Sequence, residues 1–181
     1  MSGSAPESPT PKVQLVTTYL EMFAPPKRDR ARPKPAGMEI IHFPQVPIHF
    51  YRYLYNTLSE PWVWWERKRQ TDDEIRAEVH SPDFAFYVPY INHLPFGMIE
   101  LNNRRFPEVQ FNYFGIFPEY CGQGIGGYLL DWTVDEVFAR GAKRFWVHTC
   151  NFDSPNAIPA YQRAGFVIYD AVTEWVDAPK G

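Results

Sequence analysis

The chain has 181 residues, of which 45% are hydrophobic and 17% aromatic, and its formal net charge is −3. This composition is typical of one packed domain, and without a long basic run it does not suggest a nucleic-acid partner. We expect neither a membrane-spanning helix nor a secretory signal, because no apolar run approaches about 20 residues and residues 1–12 contain no apolar core.

Cysteine usage and terminal composition indicate the setting and the domain organisation. Cys121 and Cys150 form no CxxC pair, so we expect a reducing, cytoplasmic location and no metal site. Residues 1–12 consist mostly of Ser, Pro, Gly and charged residues, which predicts a disordered tail before a single domain at 13–181. The sequence leaves open whether the chain forms a homodimer.

Local composition predicts strands and helices in alternation, with exposed polar or proline-rich loops at residues 24–37 and 102–107. Predicted strands lie at residues 13–23, 38–43, 84–91, 96–101, 108–117, 144–150 and 166–175. Predicted helices lie at residues 48–58, 72–79, 128–138 and 155–164. Two helix starts carry their own signals: Thr71 and Glu74 form a capping box, and Ser154 precedes Pro155 as cap and first helical residue.

The most informative stretch is a strand, a glycine-rich turn and a helix in succession. The apolar strand should end at Pro118, which cannot donate a ladder hydrogen bond. Gly122, Gly124, Gly126 and Gly127 follow, and then apolar residues recur at helical spacing. Such a turn exposes backbone N–H groups at the positive end of a helix dipole, which favours a phosphate site.

Two common phosphate motifs fit this turn poorly. A Walker A loop ends in Lys and Ser or Thr, and both are missing after Gly127. Gly122, Gly124 and Gly127 do fit the dinucleotide pattern G-x-G-x-x-G, but that pattern opens a larger fold. The chain after Gly127 has room for only about one more βαβ unit.

The segment at residues 116–126 resembles the acyl-CoA signature of the GNAT acetyltransferases, Arg/Gln-x-x-Gly-x-Gly/Ala. Gly124 and Gly126 match its small positions, whereas Cys121 stands where the family usually has Arg or Gln. A second signature, Ala-x-x-x-Tyr-x-x-x-Gly-Phe, is similar to residues 157–166, with Ser154 at the usual Asn position and Asn156 nearby.

This resemblance implies an α/β fold with one mixed, largely antiparallel sheet, helices on both faces, and strands that splay at the acyl-CoA site. It implies an N-acetyltransferase that transfers acetyl from acetyl-CoA to an amine in a ternary complex. The implied acetyl-CoA contacts are Gly115, Ile116, Phe117, Cys121, Gly122, Gln123, Gly124, Ile125, Gly126, Gly127, Asn156 and Tyr161. The alternative is an acyl-CoA-binding sensor or partner-binding module that has lost turnover.

Proton transfer needs a base for the amine and an acid for the leaving thiolate. The candidate bases are His148, Glu108 and Glu100, and histidine titrates near neutral pH. Tyr161 occupies the tyrosine position of the second signature and is the expected acid. Trp64 and Trp65, with His148, are the expected wall of the acceptor pocket, although tryptophans beside Pro61 also suit a core plug.

Overall fold

The computed structural model describes residues 11–29, 31–62 and 64–178. Most of the predicted tail, residues 1–10, lies outside these residues, and Lys12 is already the first residue of a strand. The elements in chain order are β1 (Lys12–Met22), β2 (Met38–His42), α1 (Ile48–Ser59), α2 (Glu66–Arg69), α3 (Asp72–Val79), β3 (Phe84–Ile91), β4 (Leu94–Pro95), β5 (Gly97–Arg105), β6 (Glu108–Ile116), a 3-10 turn (Pro118–Tyr120), α4 (Ile125–Ala139), β7 (Arg144–Cys150), α5 (Ala157–Arg163) and β8 (Val167–Asp177).

All of these strands belong to one sheet with the order β2-β3-β5-β6-β7-β1-β8, and the short β4 pairs with β3. Every pair of neighbours is antiparallel except β6 and β7, which are parallel. The predicted fold class, a mixed and largely antiparallel sheet with helices, is therefore confirmed.

Helices cover the two faces of the sheet and divide the core into two clusters. Helices α4 and α5 pack on one face, where Leu129 and Phe145 are fully buried. Helices α1 and α3 pack on the other face, around Tyr51 and Ile75. Strand β3 serves both clusters because successive side chains point to opposite faces: Tyr87 belongs to the α4 side and Phe86 to the α1 side.

Most predicted elements are present, and the differences lie at their ends. The capping box at Thr71 and Glu74 is formed, with both reciprocal hydrogen bonds. The predicted loop at 102–107 is wrong in its first part, because β5 continues to Arg105 and pairs there with Glu108.

The predicted start of α5 is also wrong. The helix begins at Ala157 with Asn156 as its N-cap residue. Ser154 lies two residues earlier in a turn, where its Oγ accepts from the Asn156 N–H at 3.3 Å. The four-residue helix α2 was not predicted.

Candidate active site

Strands β6 and β7 run side by side for only part of their length and then diverge. They pair from Glu108 and Arg144 up to Phe111 and Val147. Asn112 is an extra residue at this point, because the β5 register shifts between the pairs Leu101–Phe111 and Glu100–Tyr113. A bulge of this kind bends the strand that carries it. Beyond it, β6 stays with β5 and β7 stays with β1, which leaves a cleft between residues 112–116 and 148–150.

The last peptide of β6 presents a hydrogen-bond donor to this cleft. The Gly115 carbonyl oxygen lies against β5, only 2.3 Å from where a Cβ of Gly97 would stand. A trans peptide points its N–H opposite to its carbonyl, so the Ile116 N–H points away from β5 and toward the gap left by β7. The N–H of the next residue, Phe117, is already bonded to the Phe96 carbonyl at 2.7 Å.

Gly115 has a packing role in addition. A Cβ at this position would meet the Leu58 side chain of α1 at 2.9 Å. Glycine therefore allows α1 to approach the strand closely, and the register shift that marks the bulge lies at Asn112.

The glycine-rich turn is rich in unused donors. Gly122 and Gly124 both have φ of +78°, a conformation that favours glycine, and Gly124 is the N-cap of α4. Among the described residues, no acceptor bonds the successive N–H groups at 122–127. At the open end of a fifteen-residue helix, such donors favour an anion.

The side chains of the turn contribute little polarity to it. Cys121 is exposed as a residue, and partial burial of its thiol, together with the Glu119 carboxylate, raises the pKa of that thiol. The Gln123 side chain folds back, and its Nε2 donates to the Glu119 carbonyl at 2.8 Å. Ile125 points inward and is buried in the core. Any anion at this turn would therefore bind mainly to the main chain.

Tyr161 lies on the α4 side of the cleft. Its ring packs on Phe111, Phe114 and Phe166, with centroids 6.2, 6.5 and 5.7 Å away. Burial raises the pKa of its phenol, and the Asp153 carboxylate raises it further. Tyr161 therefore remains a protonated donor at neutral pH. Asn156 lies at the N-cap of the same helix, exposed and without a side-chain cap hydrogen bond.

Aromatic residues line the opposite side of the cleft, on the face that carries α1. Trp64 packs on Tyr113 of β6 and on Tyr55 of α1, at 5.6 and 5.7 Å between ring centroids. The Tyr113 hydroxyl donates to Glu66 at 2.5 Å. Trp65 is the N-cap residue of α2, with Arg69 stacked over its ring. Of the two predicted tryptophans, Trp64 therefore lies at the cleft.

Asp153 connects the two walls of the cleft. Its Oδ1 accepts from the Trp64 indole N–H at 2.7 Å. Its Oδ2 accepts from the Thr149 hydroxyl and the Cys150 N–H, each at 2.8 Å. The residue was not predicted, because only the fold brings the loop after β7 next to Trp64.

The three predicted bases lie in different environments. His148 is exposed and is the first β7 residue beyond the pairing with β6, on the same face as Tyr113. Glu108 lies at the closed end of the strand pair, where Arg144 binds it at 2.8 Å.

Glu100 is completely buried. It accepts hydrogen bonds from Arg67 at 2.7 Å, from the Tyr51 hydroxyl at 2.6 Å, and from Asn112. Burial alone would lower the pKa of Arg67. The Glu100 carboxylate and the other partners of Arg67 have a larger, opposite effect and raise this pKa. Because an incoming amine does not reach this carboxylate, we assign Glu100 no role as a base.

Three further properties of the described part of the chain leave this site unchanged. No group of three or more His, Cys, Asp or Glu side chains there is placed to hold a metal ion. Both cysteines are free thiols. No helix within residues 11–29, 31–62 and 64–178 is long and apolar enough to cross a membrane.

Comparisons with known proteins agree with this geometry. The model of the Acetyltransferase (GNAT) family matches residues 51–166, more than half of the chain. No curated protein matches the sequence.

Several solved structures share the fold. A functionally unknown conserved protein from Staphylococcus epidermidis is 18% identical, with a TM-score of 0.65 over 91% of this chain and 62% of that one. A GCN5-related N-acetyltransferase from Sphaerobacter thermophilus is 18% identical, with a TM-score of 0.66 over 95% and 54%. The dodecameric spermidine N-acetyltransferase from Vibrio cholerae is 19% identical, with a TM-score of 0.58 over 74% and 81%. The chain thus spans less than two thirds of the first two proteins.

Proposed function

Because the chain belongs to the GNAT acetyltransferase family, we propose that it transfers an acetyl group from acetyl-CoA to a primary amine, directly and within a ternary complex. The observation that carries this proposal is the position of the donor-rich turn at 122–127 beside the cleft between β6 and β7. A Cβ at Gly126 would lie 3.3 Å from the Ile116 side chain, so the turn and the end of β6 are adjacent.

The main chain fits the phosphate groups of acetyl-CoA. A Cβ at Gly122 or Gly124 would have no atom within 4 Å, so the space in front of these residues is open. Six unused N–H groups at a helix N-terminus are suited to a diphosphate. Bound acetyl-CoA supplies the thioester whose carbonyl carbon is attacked.

The Ile116 N–H is suited to stabilise the reaction. It points into the cleft, and a fixed backbone donor stabilises the negative charge that develops on a carbonyl oxygen during attack. Such a donor typically contributes about 3 kcal/mol to catalysis. Because its direction is fixed by the Gly115 carbonyl on β5, little reorganisation is needed.

Two side chains are placed for proton transfer. His148 is exposed at the point where β7 leaves β6, and we assign it the removal of a proton from the ammonium form of the acceptor, directly or through water. Tyr161 lies on the α4 face of the cleft, and we assign it donation of a proton to the departing thiolate. The two residues lie on opposite faces of the sheet, which suits attack from one side and departure on the other.

The amine enters, on this proposal, from the face that carries Trp64 and Tyr113. Large rigid rings give an acceptor pocket contact area at a low cost in conformational entropy. The size and shape of the space between these rings and His148 then determine which amines the pocket accepts.

Two matched glycine variants test the acetyl-CoA site. Gly124 and Gly141 lie at opposite ends of α4, and both have positive φ, +78° and +93°; a Cβ would meet no atom within 4 Å at Gly124 and only the Phe106 ring, at 4.0 Å, at Gly141. Gly124→Ala and Gly141→Ala should therefore strain the backbone similarly. We expect only Gly124→Ala to weaken CoA binding in calorimetry, by at least about tenfold or 1.4 kcal/mol. Equal affinities in the two folded variants would remove the turn from the site.

A measurement of turnover distinguishes an acetyltransferase from an acyl-CoA-binding sensor without activity. Release of free thiol from acetyl-CoA in the presence of a panel of amines should exceed the rate without amine. CoA binding without amine-dependent thiol release for any primary amine would contradict the proposed transfer.

A further inference from the structure

A charged cleft lies next to the glycine-rich turn and outside the reaction site described so far. Its volume is about 430 Å³. Three parts of the chain form it: the segment at 24–37 that joins β1 to β2, helix α4, and the end of α5. The lining residues are Pro26, Lys27, Arg28, Asp29, Arg32, Asp131 and Arg163.

Ion pairs hold the joining segment against α4. Arg28 binds Asp135 at 2.7 Å and Asp131 at 3.4 Å, and Arg32 binds Asp131 at 2.8 Å. Asp131 is buried beneath these guanidinium groups. The described part of the segment is a mostly exposed loop, as predicted, but two of its arginines, Arg28 and Arg32, are anchored along one face of the helix.

Arg32 reaches the first turn of α4. Its Nη1 lies 2.9 Å from where a Cβ of Gly127 would stand, so glycine at this position makes room for the guanidinium. Within the described part of the chain, only its Nε is bonded, to Asp131. The two Nη groups have no acceptor among the described residues, and they lie at the end of the run of unused N–H groups.

The cleft carries more positive than negative charge. Four of its lining side chains are cationic and two are acidic. Lys27 and Arg163 make no ion pair with any described residue. Arginine and lysine side chains that face a cleft without a carboxylate partner favour a phosphate ligand.

We propose that this cleft binds the 3′-phosphate of acyl-CoA, and that Arg32 contacts the diphosphate at the adjoining turn. This inference rests on the proposed function, because it takes the diphosphate to lie at 122–127. It also explains how the chain tolerates Cys121 at the usual position of Arg or Gln: a guanidinium from the segment at 24–37 supplies the missing cation.

The test compares CoA with dephospho-CoA, which lacks only the 3′-phosphate. The wild-type protein should bind CoA at least about tenfold more tightly than dephospho-CoA in calorimetry. In the double variant Lys27→Ala/Arg163→Ala this ratio should fall to about one, through weaker binding of CoA alone. Arg32→Gln should weaken both ligands. Lys34→Ala, in the same segment but outside the cleft lining, should change neither.

Each outcome bears on a different part of the proposal. Equal wild-type affinities for CoA and dephospho-CoA would overturn the 3′-phosphate site and leave the proposed function intact. A ratio that persists in the folded double variant would also overturn it. Unchanged diphosphate binding in Arg32→Gln would remove Arg32 from the site. If the wild-type protein binds neither ligand, the proposed function fails together with this inference.

Discussion

The indole N–H of Trp64 donates to Asp153 Oδ1 at 2.7 Å, and this single hydrogen bond joins the two sides of the cleft. Trp64 lies between α1 and α2 in the chain, and its ring packs on Tyr113 of β6, whereas Asp153 follows β7. The strands themselves share no pairing here. The bond therefore restrains the separation of two diverging strands.

We expect Trp64→Phe to destabilise the fold by about 1.5–3 kcal/mol, because a hydrogen bond to a charged group contributes roughly that much. The ring contacts with Tyr55 and Tyr113 should survive in part. Amide hydrogen exchange should become faster at 149–153, where Asp153 also accepts from the Cys150 N–H.

Trp146→Phe is the matched control for that change. Its indole N–H bonds no described residue, and its ring packs near His148. Exchange rates at 149–153 that are equal in the two variants would show that the Trp64–Asp153 bond does not restrain the cleft.

Tyr161→Phe should keep the packing of the ring on Phe111 and Phe166 and lose only the hydroxyl. On the proposed mechanism kcat falls by roughly 10²-fold, which is the usual effect of losing a general acid, and the KM for the amine is unchanged. Steady-state kinetics with an amine for which chemistry limits the rate measures this. Tyr90→Phe, a phenol on β3 away from the cleft, provides the control. A kcat equal to the wild-type value in Tyr161→Phe would show that Tyr161 does not protonate the departing thiolate.

Glu100→Gln should reduce stability much more than Glu108→Gln. Glu100 is fully buried and paired with Arg67, whose guanidinium would lose a buried counter-charge, at a cost of about 3 kcal/mol. The Glu108 side chain is 44% exposed, and such pairs contribute less than about 1 kcal/mol. Urea unfolding measures both. Neither change should lower kcat of the folded enzyme by more than about twofold, whereas a loss near 10²-fold would restore that carboxylate as a base.

Stability should decrease in alkaline solution. Burial raises the pKa of Tyr51, Tyr113 and Tyr161 above the ordinary value, which is about 10 in an unfolded chain. The folded state therefore keeps protons that the unfolded state releases. The stabilising effect is complete below about pH 10 and is lost as the pH rises above it.

Urea titrations across this range should show a falling free energy of unfolding. The decrease should be shallower in Tyr161→Phe, by up to about 1.4 kcal/mol for each pH unit above the unfolded pKa. An identical slope in wild type and Tyr161→Phe would mean that this phenol ionises in the folded protein.

The sequence predicted those features that short segments determine by themselves. Proline at 118 ends β6, and the clustered glycines open α4, because each acts on its own backbone. The capping box at Thr71 is equally local. The resemblance to a family signature then supplied the role that we propose for the turn, because glycine spacing alone leaves several phosphate motifs open.

Features that depend on distant partners were not predictable in this way. Glu100 was a candidate base because a strand carboxylate gives no sign of its partners, and Arg67 lies far from it in sequence. Asp153 is hydrogen-bonded to Trp64, and Arg32 lies against Gly127. No rule of sequence spacing relates the two residues of either pair. Arg32, which we propose as a cation for the diphosphate, belongs to a segment whose prolines predicted only a loop.

Strand β1 lies between β7 and β8, and its first residue is paired with the last residue of β8 by an ion pair of 2.7 Å between Lys12 and Asp177. In the chain, β1 precedes β7 and β8 by the whole of the region from β2 to α4, so during synthesis it leaves the ribosome well before either partner. The half of the sheet from β2 to β6 contains mostly contacts that are nearer in sequence and is free to form earlier. A nascent chain therefore carries β1 unpaired until β7 and β8 have been synthesised, and an unpaired strand edge of this kind favours aggregation.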